Sequence, residues 1–215
     1  MSRAILFIDG NNFYHNLKAS KIKPSLIDFA KLQKYICDHF QEEHVKTIYY
    51  NSVPDISQGD EVYYNHMRFL SELKKIQKLE VKTRKLQSLS TQETKHLMKE
   101  EIAHLGLCEL CRPIVLVHWE DYIGSVSVKE KGVDMLIGVD MIKLCLFDKE
   151  CDTCILLSGD ADFIPAMDLV KNHGKKAVSA ALAKGYSFDL RNKHGWFIID
   201  KKRLLESCSK QKTKE

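Results

Sequence analysis

Phe7-Ile8-Asp9-Gly10-Asn11-Asn12 near the start of the chain, and Ser158-Gly159-Asp160-Ala161-Asp162-Phe163 much later, decide how this sequence is read. Each closes an apolar, strand-like run, Ala4 to Ile8 in the first case and Cys154 to Leu157 in the second. Each then breaks into small and acidic residues where the strand should end. A parallel sheet places the carboxyl ends of its strands on one edge, and ligands bind in the crevice there. Carboxylates gathered on that edge repel one another unless a cation sits among them. The two runs therefore predict a parallel sheet with an acidic, metal-dependent site on its carboxyl edge.

Outward from these runs, residues 3–8 read as a buried strand and 11–20 as a short helix with Phe13, Tyr14 and Leu17 inward. Ser25 reads as the N-cap of an amphipathic helix carrying Leu26, Phe29, Leu32, Ile36 and Phe40. Residues 45–53 are rich in β-branched and aromatic side chains and read as a strand. A helix is expected over 60–77, with Tyr63, Met67, Leu70 and Leu73 at helical spacing, and an alternating strand over 79–86. The pattern then loosens across 87–124, which reads as an insertion or lid holding a helix over 91–105 and an apolar run over 114–117. Order returns with a helix over 133–147, a strand over 154–157 and a helix over 163–172, whose Pro165 fits a first turn. A strand over 176–182, a helical turn over 188–193 and a strand over 196–199 follow. Strands alternating with helices predict an α/β fold with a central, mainly parallel β-sheet flanked by helices. The expected organisation is one domain over 1–200, followed by a basic C-terminal tail over 201–215.

At 215 residues, with 44% hydrophobic and 29% charged side chains, the chain can bury one substantial core and is not of disordered composition. No apolar run approaches a membrane span, and the first residues lack the apolar stretch of a secretory peptide. The expected compartment is the cytoplasm, where the seven cysteines would stay mostly reduced. Net charge is only +4, but residues 74–100 hold eight Lys/Arg against three Glu, and 201–215 hold six against two. Such excesses suit a polyanion, and also a solvated helix face or a frayed tail.

A third acidic contributor is Glu130-Lys131-Gly132-Val133-Asp134, where Asp134 falls in the first turn of a helix and the helix dipole favours its charge. Asp9, Asp134, Asp160 and Asp162 form an all-oxygen set, which suits Mg²⁺ or Mn²⁺ better than zinc. Each acid also has a plainer explanation. Asp160 or Asp162 could cap the following helix, Asp134 could stabilise its own, and Asp9-Gly10 could be a turn with a positive φ at Gly10. Asp140 lies six residues after Asp134, about 240° around the helix, and is assigned to a salt bridge rather than to the site.

The runs Phe7 to Asn12, Glu130 to Asp134 with Asp140, and Leu157 to Pro165 together resemble the signatures of NYN domains, specifically the LabA-like group. The resemblance spans residues 3–183 in matching order. It implies a three-layer PIN-like fold and a metal-dependent ribonuclease that hydrolyses RNA phosphodiester bonds with Mg²⁺ or Mn²⁺. On this resemblance Asp9, Asp134, Asp160 and Asp162 are both metal ligands and catalytic groups. Asn12 and Ser158 match polar positions that orient a ligand or water, and Lys131 falls where a phosphate would lie. The alternative is a catalytically silent NYN module that binds RNA or a protein partner. A phosphohydrolase of another α/β family is disfavoured because it wants a second acid at position 11, which is Asn11.

His104, Cys108, Cys111 and His118 could form a structural zinc site, although the spacing only partly suits one. Trp119 and Tyr122 could stack on single-stranded nucleic acid or pack the insertion onto the body. The stripe Tyr63, Tyr64, Met67, Phe69 and Leu70 reads as core or as the face of a homodimer.

Overall fold

The computed structural model describes residues 2–54, 59–85, 87–88, 104, 106–113, 128–129 and 132–210. Six strands form one sheet: β1 (Arg3–Asp9), β2 (Glu43–Val53), β3 (Leu79–Lys85), β6 (Thr153–Leu157), β7 (Lys176–Leu182) and β8 (Gly195–Ile199). Their order is β3-β2-β1-β6-β7-β8, and every pairing is parallel. Two short strands, β4 (Gln87–Ser88) and β5 (Val128–Lys129), pair antiparallel outside it.

The near-continuous apolar runs of β1 and β6 follow from this arrangement, because a central parallel strand is covered on both faces. Ala4, Leu6 and Ile8 face one core, while Ile5 and Phe7 face the other. The first core is closed by α1 (Gly10–Ala19), α2 (Phe29–His39), α3 (Asp60–Leu73) and α7 (Lys201–Cys208). The second is closed by α4 (Val133–Ile142), α5 (Ile164–Asn172) and α6 (Phe188–Lys193). The result is the three-layer α/β fold expected from the alternation.

Several expectations are corrected. The helix predicted from Ser25 begins at Phe29, with Asp28 as its N-cap accepting from the Lys31 amide, and residues Pro24–Leu26 form a separate 3₁₀ turn. Leu26 is accordingly exposed, as is Tyr14 on α1. On α3 only Leu70 and Leu73 are buried, whereas Val62, Tyr64 and Met67 are exposed, so most of that stripe is not core. The helix expected over 133–147 is α-helical to Ile142 and continues as a π-helical turn, Lys143–Phe147.

Asp140 is buried and accepts from the Tyr50 hydroxyl at 2.9 Å and Lys82 Nζ at 2.8 Å. This ties α4 to β2 and β3 on the far side of the helix from the acidic edge. The expected tail is corrected too. Residues 201–208 form α7, capped by Asp200, with Leu204 and Cys208 fully buried against α2. The chain then returns to the body, where the Asp28 amide donates to Cys208 O and the Lys210 amide to Leu26 O. The expected helix over 91–105, the run over 114–117, Trp119 and Tyr122 lie mostly or wholly outside the described residues.

Leu204→Ala should therefore lower the free energy of unfolding by about 2–5 kcal/mol, the cost of an emptied core site. Denaturant unfolding measures it, and a loss below roughly 0.5 kcal/mol would mean a solvated tail.

Candidate active site

The chain winds from β1 to β2 in one direction and continues from β1's other flank through β6 in the opposite one. The gap between the carboxyl ends of β1 and β6 is therefore the topological switch point, where α/β sheets bind ligands. Pairing runs from Ala4↔Thr153 to Ile8↔Leu157, so the next residue on each strand, Asp9 and Ser158, meet at the edge. Ser158 Oγ donates to Asp9 Oδ2 at 3.0 Å, and the Asn12 amide donates to Asp9 Oδ1 at 3.1 Å. Asp9 is thus the N-cap of α1 as well as the deepest acid of the edge, only 4% exposed.

Asn12 extends the staple. Its Oδ1 accepts the Gly159 amide at 3.1 Å and Asn16 Nδ2 at 2.7 Å. Asn11, about 100° away around the helix, binds the opposite flank: its Nδ2 donates to Ser52 Oγ at 2.7 Å and its Oδ1 accepts Asn51 Nδ2 at 2.7 Å. The consecutive asparagines pin the start of α1 between the ends of β2 and β6. Position 11 therefore serves as a clamp between α1 and β2.

Asp160 caps the 3₁₀ turn Ala161–Phe163 through the Asp162 amide at 3.0 Å, and its own amide donates to Ser158 Oγ at 3.2 Å. Asp134 stands in the first turn of α4, after Gly132 in the left-handed conformation. Burial pushes the Asp9 carboxyl up to about 6 against the opposing hydrogen bonds from Asn12 and Ser158, and the negative charges of Asp134 and Asp160 add to the rise. Asp134 is raised as well, first by burial and then by Asp160 and Asp162. The four acids predicted from the sequence therefore share one electrostatic neighbourhood. Among the described residues, no three His, Cys, Asp or Glu side chains form a group that could hold a metal ion as they stand.

Lys131 and His118 lie outside the described residues. Cys108 and Cys111 are exposed thiols joined by a hydrogen bond, with the Cys111 amide donating to Cys108 O at 3.1 Å. His104 is also exposed.

Sequence reasoning missed three residues of the site's frame. Gly10 has no positive φ; it is required because a β-carbon there would stand 2.4 Å from the Tyr49 ring and 2.5 Å from Tyr50 O. A β-carbon on Gly159 would lie 1.5 Å from Gly185 O. Gly185, at φ +90°, in turn leaves no room for a side chain beside Asn16, whose Oδ1 would be 2.1 Å away. Glycines beside acids in both opening runs were the available signal, and it pointed to turns rather than to close packing.

A model of the NYN domain family matches residues 3–199. The chain belongs to the NYN family. NYN domains are part of the PIN-like nuclease superfamily, and the match covers all six strands of the main sheet. No curated protein matches the chain. Among solved structures, a protein of unknown function from Vibrio parahaemolyticus superposes with a TM-score of 0.54 at 16% identity. The alignment covers 93% of this chain and 94% of that one, a likeness of fold.

Two outcomes follow for this NYN domain. In cation-free protein, Asp9 should titrate near 6, and Asp134→Asn should lower that value, as read by carboxyl-carbon NMR. Its folded-state value lies above the ordinary 3.8, so its contribution to stability is full below 3.8 and lost as pH rises through about 6. Gly159→Ala should cost several kcal/mol or prevent folding, because the clash is with backbone; a melting temperature unchanged from wild type would contradict the packing described here.

Proposed function

We propose that this chain is a metal-dependent ribonuclease of the LabA-like group, hydrolysing RNA phosphodiester bonds at the acidic edge. The observation that carries the reading is that Asp9 ends β1 at the switch point, with Asp134 and Asp160 near enough that their charges add to the burial that raises its carboxyl pKa; Asp160 and Asp162 act on Asp134 in the same way. Like charges so placed favour a cation among them, and an all-oxygen donor set suits Mg²⁺ or Mn²⁺. These four carboxylates would hold the ion. When bound, it supplies an activated water and neutralises charge on the scissile phosphate.

The chain's own residues prepare that edge. Ser158 and the Asn12 amide hold the Asp9 carboxylate in one orientation, and Asn12 fixes Gly159 so that Asp160 emerges beside it. Lys131 is assigned a phosphate contact on sequence grounds. RNA is the proposed substrate, because the family's superfamily is that of nucleases.

A second reading has one observation in its favour. Asp9 and Asp160 both serve as helix caps, and no ready-made ligand group stands among the described residues. That suits a catalytically silent module binding RNA or a protein partner.

Asp9→Asn and Asp160→Asn should each abolish Mn²⁺-dependent cleavage of labelled single-stranded RNA, a loss of about 100-fold or more, with far-UV circular dichroism unchanged. Wild-type binding without cleavage would favour the silent module. Undiminished cleavage by both variants would overturn the acidic site.

A further inference from the structure

The connection from β7 to β8 and the start of β8 carry aromatic side chains that the acidic site does not use. Tyr186 is 39% exposed, Phe188 64% and Trp196 45%, a concentration of large rings at one stretch of surface. The Arg191 guanidinium lies 4.3 Å from the Trp196 ring centroid and 6.0 Å from that of Tyr186. Lys184 stands exposed two residues before Tyr186. Leu190 anchors the segment in the core, and the Ser187 hydroxyl caps α6 by accepting the Leu190 amide, so these rings sit on ordered backbone.

Their position relative to the acids is set by a close backbone approach. Gly159, between Ser158 and Asp160, packs so closely on Gly185 that its missing β-carbon would also stand 3.0 Å from the Tyr186 Cα. Ser158, Tyr186, Arg191 and Trp196 are among the residues that line one small crevice, so the aromatic surface abuts the residue that holds Asp9. The residue that holds the Asp9 carboxylate is thus also a wall of the aromatic pocket.

We propose that Tyr186, Arg191 and Trp196 form a nucleobase-stacking subsite for single-stranded RNA, one step along the strand from the acidic edge. The inference deepens the RNA reading above and rests on it. Exposed rings with a guanidinium among them offer flat, polarisable faces on which an unpaired base stacks, and the cation adds attraction for the π system and the neighbouring phosphate. A base inside a duplex already has both faces covered, so the subsite selects single strands. Because every base has a stacking face, it admits all four nucleotides rather than reading sequence.

The test measures binding in EDTA, where cleavage is stopped, using a fluorescein-labelled single-stranded oligouridine and a labelled RNA duplex of equal length. Trp196→Leu and Tyr186→Leu should each weaken oligouridine binding roughly 5- to 150-fold, with Trp196→Phe and Tyr186→Phe close to wild type and duplex binding little changed. Should the leucine variants fail to fold, the readout moves to a Trp119→Phe protein, in which Trp196 is the remaining tryptophan of the two. Quenching of its fluorescence by oligouridine supports the subsite, and its absence at saturating RNA overturns it. Leucine variants that bind like wild type, or a wild type that prefers the duplex, also overturn it. Manganese-dependent cleavage by leucine variants of undiminished affinity would remove the subsite and leave the nuclease reading standing. Weakened affinity in a protein that never cleaves would keep the subsite and count against the nuclease.

Discussion

The parallel pairing of β1 with β6 is the constraint on which the rest of this structure depends. The two strands are far apart in the chain, and their register, ending at Ile8↔Leu157, sets Asp9 beside Ser158 with no residue to spare. A slip of one residue would turn Leu6 and Ile8 away from the α1–α2 core and into the opposite one. The same slip would separate Asp9 from the Ser158 hydroxyl. Hydrophobic alternation on two buried faces therefore enforces the geometry of the polar site. The raised Asp9 carboxyl is a cost carried by that pairing, since burial disfavours its charge.

The site's frame is built from absent side chains as much as from present ones. Gly10 lets α1 lie against Tyr49 and Tyr50 O, and Gly159 lets the end of β6 meet the loop at Gly185. Around those contacts Asn11, Asn12 and Asn16 distribute hydrogen bonds to both neighbouring strand ends. Short amide side chains suit this work because each offers donor and acceptor within one residue's reach. The acids thus stand on a rigid ledge, and the aromatic loop after β7 is held against the same ledge.

Much of this was legible in the residues themselves. The apolar runs of β1 and β6, the alternation of strands with helices and the acids at strand ends follow from local periodicity, and the strand over 176–182 and helix over 188–193 match Lys176–Leu182 and Phe188–Lys193 as observed. Asp140 was legible too, since its angular offset from Asp134 turns it away from the edge and toward Tyr50 and Lys82. Less legible were features whose cause is remote in sequence. Asp28 caps α2 because the chain around it is fixed by Cys208, nearly the whole protein away. Residues 201–208 looked like a solvated tail because their charges dominate, yet Leu204 and Cys208 fall on one helical face and find a core. Met67 had the spacing of a buried residue, yet among the described residues it stays exposed.

The α/β class, the acids after β1 and β6 and the NYN resemblance are readable from the residues alone, because periodicity and short motifs are local properties of the chain. That Asn11 and Asn12 clamp opposite flanks and that Gly159 abuts Gly185 emerge only in the folded chain, which also sets β1 beside β6 as the two acidic runs require. The tertiary structure also decided that Tyr186, Arg191 and Trp196 gather beside Ser158. Those are long-range contacts, and strand order and close backbone approach are set by how two cores fill rather than by any single segment.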